Sequence, residues 1–470
     1  MAVQLQEQEI EAIIRQVLQD IKLEHSPLPR ASLYRGVFPT ADEAVTAAQA
    51  AFAKFRKVSL NQRKAIIQAM REAAIDNAQK LAQMAVDETG MGRVSDKVLK
   101  NLLVAEKTPG VEFLPNEAYV GDDGLTLEEV APFGIILAIT PVTNPTATII
   151  NNAISMVAAG NVVIFAPHPG SKHVSMATMD ILNEAIEAAG GPANLLIAVQ
   201  DATIEVAQYL MNHPKINLNV ITGGPAVVDA ALRCGKRAIG AAAGNPPVLV
   251  DDTADPEKAA REIILGHSFD NNMPCVCEKE VIVTAGIAPA LMKAFRAAGN
   301  AHVLDQALLP KLESVTLNEK RNGPNRKYIG QNANVILREL GIEASDDLRA
   351  IIVEVTKDHP FVRSEMMMPV LGVVRVGDFE EAVEVAVDVE EGLRHSAIIH
   401  SSNIYHMSEF GRAINTSVFV KNAPSYAGLG FGGEGHTSFT IAGRTGEGMT
   451  TSRTFVRIRR CTLVGAFSAV

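Results

Sequence analysis

Tryptophan is absent from the sequence, and aromatic residues of all kinds make up only 5% of it. Alanine, valine and isoleucine dominate a 47% hydrophobic share. That is the composition of α/β proteins whose parallel strands are buried on both faces. Cysteine is scarce as well: Cys234, Cys275, Cys277 and Cys461 are all there are. Four scattered thiols make no disulfide framework and imply a reducing compartment. Basic residues are the minority, 43 Lys and Arg against 53 Asp and Glu, for a net charge of -10. This excludes the basic surface that non-specific nucleic-acid binding needs. No apolar run approaches the roughly 18 residues of a membrane span. The opening Met-Ala-Val-Gln-Leu-Gln-Glu-Gln-Glu has no basic stretch, so no secretory signal is expected.

A chain of 470 residues has length for about two to three domains. In residues 7–23, Ile10, Ile13, Ile14, Val17, Leu18 and Ile21 recur at helical spacing and form one apolar face. The proline-punctuated His25-Ser26-Pro27-Leu28-Pro29-Arg30 follows as a linker. A helix this short is marginal alone. It either folds back on its own domain or docks in the groove of another protein. Residues 40–110 read as helical with polar faces, beginning at a Thr40 cap and interrupted by Gly90 and Gly92. Leu125 to Val130 alternates like a half-exposed strand.

From Phe133 onward, apolar strands alternate with helices, the pattern of βαβ units and a parallel sheet. The loops 140–145, 166–171 and 222–225 fall at the carboxyl ends of successive strands, where such sheets bind ligands. Gly223-Gly224-Pro225 is expected to leave free backbone N–H groups for a phosphate. Residues 248–410 repeat the style as a second α/β lobe. Residues 318–331 read as a solvated polar loop, and Thr454 to Arg460 as an edge strand with alternating arginines. Gly430-Phe431-Gly432-Gly433-Glu434-Gly435 has the G-x-G-x-x-G spacing. It lacks a strand before it and a helix after it, so it reads as a loop near the site rather than a dinucleotide turn.

The stretch that stands apart is Asp270-Asn271-Asn272-Met273-Pro274-Cys275-Val276-Cys277. A polar run and a proline make a turn, and the β-branched Val281 to Thr284 follows as a strand. A cysteine on such a turn is either a small buried hydrophobe or a nucleophile. A free thiol, with pKa about 8.5, is slightly ionised at neutral pH. Cys-x-Cys is shorter than the usual zinc spacing and has no second ligand pair, so no metal site is expected.

Several motifs together carry a resemblance: Glu88-Thr89-Gly90-Met91-Gly92, Thr143-Asn144-Pro145-Thr146, Phe165-Ala166-Pro167-His168-Pro169, Gly244-Asn245-Pro246-Pro247, Phe269-Asp270-Asn271-Asn272, Glu365-Met366-Met367-Met368-Pro369 and Gly432-Gly433-Glu434-Gly435. Across residues 37–470 the chain resembles the aldehyde dehydrogenase superfamily. Within it, the chain resembles the CoA-acylating branch of bacterial microcompartments, the ethanolamine and propanediol utilisation type. The resemblance implies two Rossmann-like parallel-sheet lobes plus a β oligomerisation arm. It divides the chain into an encapsulation helix (1–24), a linker (25–36), an NAD/CoA-binding domain (37–240, with arm strands about 118–130), a catalytic domain (241–443) and an arm (444–470). Cys275 matches the nucleophile and Asn144 the amide of the oxyanion site, while Cys277 matches a packing position. Thr140, Pro141, Pro167, His168, Gly223, Gly224 and Glu365 fall at cofactor-binding positions. Ala241 stands where hydrolytic members carry a glutamate base, and Ala166-Pro167-His168-Pro169 stands where they grip the adenosine ribose. The implied reaction is oxidation of a short aldehyde, propionaldehyde or acetaldehyde, with NAD and coenzyme A in one crevice. The implied setting is the bacterial cytoplasm, in a microcompartment lumen, with residues 7–23 on a shell or core partner and a dimer or tetramer as the assembly. A hydrolysing dehydrogenase and a non-catalytic scaffold are the rivals on the same fold.

Overall fold

The computed structural model describes residues 34–465. The amphipathic segment 7–23, and the linker as far as residue 33, lie outside the described residues.

Three large sheets organise the described chain, beside a two-stranded pair, Ile441–Ala442 with Gly448–Met449. The first is parallel throughout, in the order Val37–Phe38, Leu196–Val199, Val162–Pro167, Ile135–Thr140, Leu218–Thr222, Ala238–Ala241. The second is also parallel: Ala301–Val303, Ala350–Glu354, Val370–Val376, Glu280–Thr284, Pro247–Val250, Ser396–His400, Val418–Lys421. The third is an antiparallel ribbon in which Gly124–Pro132 pairs with Glu117–Gly121 on one side and Val456–Val464 on the other. Two lobes of parallel strands and a β arm are the architecture that the alternation and the resemblance imply.

Local chemistry sets the elements. The central strands are uninterrupted apolar runs covered by helices, as buried parallel strands must be. Helix Ala41–Phe55 starts where the Thr40 side chain accepts from Glu43 N, and it buries Ala44, Val45, Ala48, Ala51 and Phe55 on one face. Helix Ala78–Thr89 stops at Gly90, whose φ of 67° suits glycine. Glu88 caps a neighbour: its carboxylate accepts from the backbone N–H groups of His173 and Val174 at 2.9 and 2.7 Å, at the start of helix Lys172–Ala188. Helix Pro145–Ala158 is buried on every face. One apolar core runs through both lobes.

One sequence reading, that of segment 318–331, needs amendment, while the loop expected at 430–435 is found. The polar segment 318–331 is not solvated along its whole length. Tyr328 is buried, and the Gly330 carbonyl accepts from Gly92 N and Asn271 Nδ2, both at 2.8 Å. The glycine-rich run 430–435 is a loop that follows a short 3-10 turn, Ser425–Leu429. Lys107 Nζ holds it by the carbonyls of Gly430 and Gly433. Phe431 stacks on Phe269 with ring centroids 6.0 Å apart, so the loop lies against the Cys275 turn.

Candidate active site

Strands Val370–Val376, Glu280–Thr284, Pro247–Val250 and Ser396–His400 are adjacent and parallel, so their amino ends lie in a row. The segments leading into them carry Glu365, Cys275 with Lys279, Gly244 and His395. A Cβ on Gly244 would stand 2.8 Å from the Cys275 carbonyl oxygen and 2.8 Å from His395 Cγ. Only glycine lets the cysteine turn and the imidazole approach this closely.

The turn depends on its Asp-Asn-Asn run. Asp270, Asn271 and Asn272 have φ of 48°, 55° and 65°. Apart from glycine, asparagine and aspartate are the residues that enter this left-handed region most readily. Three in succession persist only where surrounding groups hold them. The Asp270 carboxylate accepts from Arg93 N at 2.7 Å, Lys97 Nζ at 2.9 Å and Lys100 Nζ. The Asn271 carbonyl oxygen of the side chain accepts from Arg93 Nε at 2.9 Å. Asn272 Nδ2 donates to the carbonyls of His267 and Glu278 at 2.8 and 3.0 Å. Lys279 Nζ donates to the Asn272 carbonyl and side-chain oxygen at 3.0 and 2.7 Å.

Cys275 keeps partial exposure, whereas Cys277 is fully buried with Sγ 3.7 Å from the Phe269 carbonyl. Burial pushes the Cys275 thiol up to about 12, the Glu365 carboxylate adds to the rise, and Lys279 opposes it. Burial thus works against the slight ionisation of a free thiol, and the Cys275 proton must be taken up as it reacts. Lys279 lies 3.6 Å from Glu365, whose own carboxyl is raised by burial. His395 is driven down to about 4 by burial and by Lys279, so it is neutral at neutral pH. Its Nδ1 lies 2.8 Å from Ser396 Oγ, and its buried Nε2 has no partner.

Asn144 sits at the N-cap of helix Pro145–Ala158 and is buried. Its Oδ1 accepts from Lys100 Nζ at 2.6 Å, and its Nδ2 donates to Thr143 Oγ1 at 3.2 Å. Lys100 also grips Asp270, so the carboxyl edge of the first sheet meets the Cys275 turn here.

The first sheet winds outward from Ile135–Thr140, to Val162–Pro167 on one side and to Leu218–Thr222 on the other. A reversal of this kind opens a crevice at the carboxyl ends. Thr140 and Pro141 end the first of these strands, and Pro167 is the register partner of Thr140. His168 N donates to the Thr140 carbonyl at 3.1 Å. The Thr140 hydroxyl is buried without a partner. No atom lies within 4 Å of where a Cβ would stand on Gly223 or Gly224. These features fit a dinucleotide. Gly223 N–H, however, donates to the Ala241 carbonyl at 3.1 Å. The free donors expected at both glycines are thus reduced: the glycines supply open ground, while Pro225 has no N–H and the Val227 N–H turns back on the Gly224 carbonyl at 3.2 Å. Ala241 ends the last strand of this sheet, buried and in register with Thr222.

Sequence reasoning left out Lys97, Lys100, Lys279 and His395. Met366 and Met368 of the Glu365–Pro369 motif are core. Lys97, Lys100, Asn101 and Val104 share one face of helix Val94–Lys107, and all four are buried. Three of those four side chains are polar, so no apolar stripe marked the face as buried.

The profile of the Aldehyde dehydrogenase family matches residues 31–454. The chain is 48% identical to the acetaldehyde dehydrogenase (acetylating) EutE of Salmonella typhimurium, over 99% of this chain and 100% of that one. It superposes on a Rhodopseudomonas palustris propionaldehyde dehydrogenase, solved with bound CoA and an acylated cysteine, with a TM-score of 0.89 and 46% identity, covering 92% of this chain and 98% of that chain. A propionaldehyde dehydrogenase from the fucose utilisation microcompartment of Clostridium phytofermentans gives a TM-score of 0.91 at 48% identity, over 93% and 100%. With its paired parallel lobes and a thiol turn at their junction, the chain belongs to the aldehyde dehydrogenase family.

Proposed function

We propose that the chain oxidises propionaldehyde or acetaldehyde with NAD and delivers the acyl group to coenzyme A, by way of a thioester on Cys275. The observation that carries this reading is a thiol turn beside a crevice whose base position holds the aliphatic Ala241. Without a carboxylate there, water is poorly activated against a thioester. Coenzyme A brings a sulfur nucleophile that needs no such base.

Cys275 Sγ bonds to the aldehyde carbon and sheds its proton. In the tautomer whose Nδ1–H donates to Ser396 Oγ, the unpartnered Nε2 of neutral His395 is the acceptor for the proton that the thiol gives up. The oxygen of the thiohemiacetal rests on Asn144 Nδ2 and the Cys275 N–H, where losing one donor typically costs about 10²–10³ in rate. Bound NAD supplies the acceptor for the hydride. Thr140, Pro141, Pro167, His168, Gly223 and Gly224 line its seat, and Glu365 stands toward its ribose. His168 does not grip as the charged side chains of hydrolysing relatives do, which suits a crevice used in turn by NAD and coenzyme A. The sulfur of coenzyme A then attacks the thioester, and Cys275 leaves as the thiolate.

In this reading residues 37–240 bind NAD and coenzyme A and 241–443 carry the chemistry, while strands near 118–130 join 444–470 in an oligomerisation arm. Ile458 and Val464 are 75% and 76% exposed on the outer strand of that ribbon, which supports its pairing with another subunit. The stripe in residues 7–23 and the microcompartment relatives support docking on a shell or core protein in the lumen. Deleting residues 1–24 is then expected to leave turnover intact and to abolish co-sedimentation with shells.

Product analysis tests the central reading: NAD, aldehyde and coenzyme A should give acyl-CoA and NADH in equal amounts with ping-pong kinetics. Cys275→Ala should abolish turnover and Cys277→Ala should leave it nearly unchanged. More than about a hundredth of the wild-type rate in Cys275→Ala would reject the nucleophile.

A further inference from the structure

Beneath Asn144 lies a buried charge cluster with no part in the steps above. Lys100 Nζ donates to Asn144 Oδ1 at 2.6 Å and to Asp270. Lys97 Nζ reaches the same Asp270 Oδ2 at 2.9 Å and the Thr143 carbonyl at 3.4 Å. Lys97, Lys100 and Asp270 are only 2%, 1% and 0% exposed. One carboxylate therefore serves two ammonium groups, and a positive charge is left over beside the amide. Asp96, whose carboxylate accepts from Asp270 N, does not cancel it, because it pairs with Arg349 at 2.6 Å.

An ammonium group has donors only. The amide atom facing it must be the oxygen, so the NH₂ of Asn144 points away from Lys100. A neutral partner able to donate and accept would tolerate either amide orientation; a lysine tolerates one. A cation on the carbonyl also polarises the amide and makes its N–H a stronger donor.

We propose that Lys100 is a positioning residue for the oxyanion site: it fixes the Asn144 amide with its N–H toward the substrate oxygen, and its charge on the amide carbonyl strengthens that N–H as a donor to the negative charge that develops there. The low polarity of the buried cluster enlarges that effect. The proposal rests on the assignment of Cys275 and Asn144 made above.

The test is the pre-steady-state burst of NADH on mixing enzyme with propionaldehyde and NAD. Lys100→Met keeps the bulk of the side chain, and Asp270 retains Lys97. The burst should slow by about 10²–10³, as for loss of an oxyanion donor, with KM for aldehyde within about threefold of wild type. Asn144→Ala should slow it as much. The double variant should be no slower than Asn144→Ala, because the two side chains act as one unit. Lys97→Met, which leaves the Lys100–Asn144 bond in place, should lose less than about tenfold. A wild-type burst in Lys100→Met with a slow one in Asn144→Ala overturns this proposal alone. A wild-type burst in Asn144→Ala overturns the oxyanion assignment itself. Losses that multiply in the double variant overturn the claim that Lys100 acts through Asn144. Should Lys100→Met fail to fold, neutron diffraction from wild-type crystals exchanged into D₂O decides the orientation. Deuterium on the amide atom facing away from Lys100 supports the proposal, and deuterium on the atom facing it overturns it.

Discussion

Asp270→Asn isolates charge from shape at the residue that anchors the Cys275 turn. Asparagine keeps the volume and tolerates the φ of 48°, so the backbone need not move. What is lost is the one carboxylate between the buried Lys97 and Lys100. Removing one partner of a buried ion pair costs about 3–5 kcal/mol, because the remaining charge is left uncompensated. With an unfolding entropy of about 2.1 cal/mol/K per residue, a chain of this length loses about one degree of melting temperature per kcal/mol. The variant should therefore melt about 3–5 °C lower at pH 7. The pH dependence follows from the two shifts. Burial pushes the Asp270 carboxyl up, but Lys100 and Lys97 outweigh it and hold it below the usual range. Its stabilisation is thus present above the unfolded value of about 3.9 and is lost as pH falls through the folded value. The gap between wild type and variant should narrow below about pH 4. Burial has already brought Lys100 down to about 8. In the variant it loses the pull of Asp270 and sheds its proton more readily, so the gap should also shrink by about pH 9. Differential scanning calorimetry from pH 3 to 9 reads both limbs. Melting within about one degree of wild type at pH 7, or a gap that does not change with pH, would refute the reasoning.

Three further outcomes follow from the same geometry. Because the Cys275 thiol stands near 12, its alkylation by iodoacetamide should rise about tenfold per pH unit between pH 6 and 9; a plateau near neutrality would mean a stabilised thiolate instead. Ala241→Glu restores a carboxylate at the base position and should raise the ratio of free acid to acyl-CoA; an unchanged ratio counts against the missing base as the reason for transfer to coenzyme A. Gly244→Ala drives a methyl into the Cys275 carbonyl and the His395 ring, so turnover should fall by more than tenfold and stability by about 1–3 kcal/mol; an unimpaired variant would show that the turn and the imidazole are not closely coupled.

The strands and their loops were legible because parallel strands are continuous apolar runs and the punctuation between them is strong: Thr140-Pro141, Pro167-His168 and Gly223-Gly224-Pro225 fall where the structure puts strand ends. Asp270-Asn271-Asn272 was legible as a turn, although not as three consecutive left-handed residues, since local pattern gives no φ. Lys97, Lys100 and Lys279 were hidden because a lysine is ordinarily a surface residue; their burial depends on Asp270 and Glu365, which come from distant parts of the chain, and for Lys279 also on the nearby Asn272. His395 was hidden for a related reason. It joins Gly244 and Cys275 only through the order of strands in the second sheet, and strand order is a tertiary fact. The upward push on the Cys275 thiol was not legible, because a reference thiol describes water whereas burial and Glu365 come from the fold.

The account turns on acyl transfer through one sulfur. Incubating the protein with propionaldehyde and NAD in the absence of coenzyme A, quenching in acid and mapping peptides by mass spectrometry reads it directly. A propionyl group on Cys275, discharged when coenzyme A is added before the quench, is the result the account predicts. NADH formation with an unmodified Cys275 peptide would contradict it.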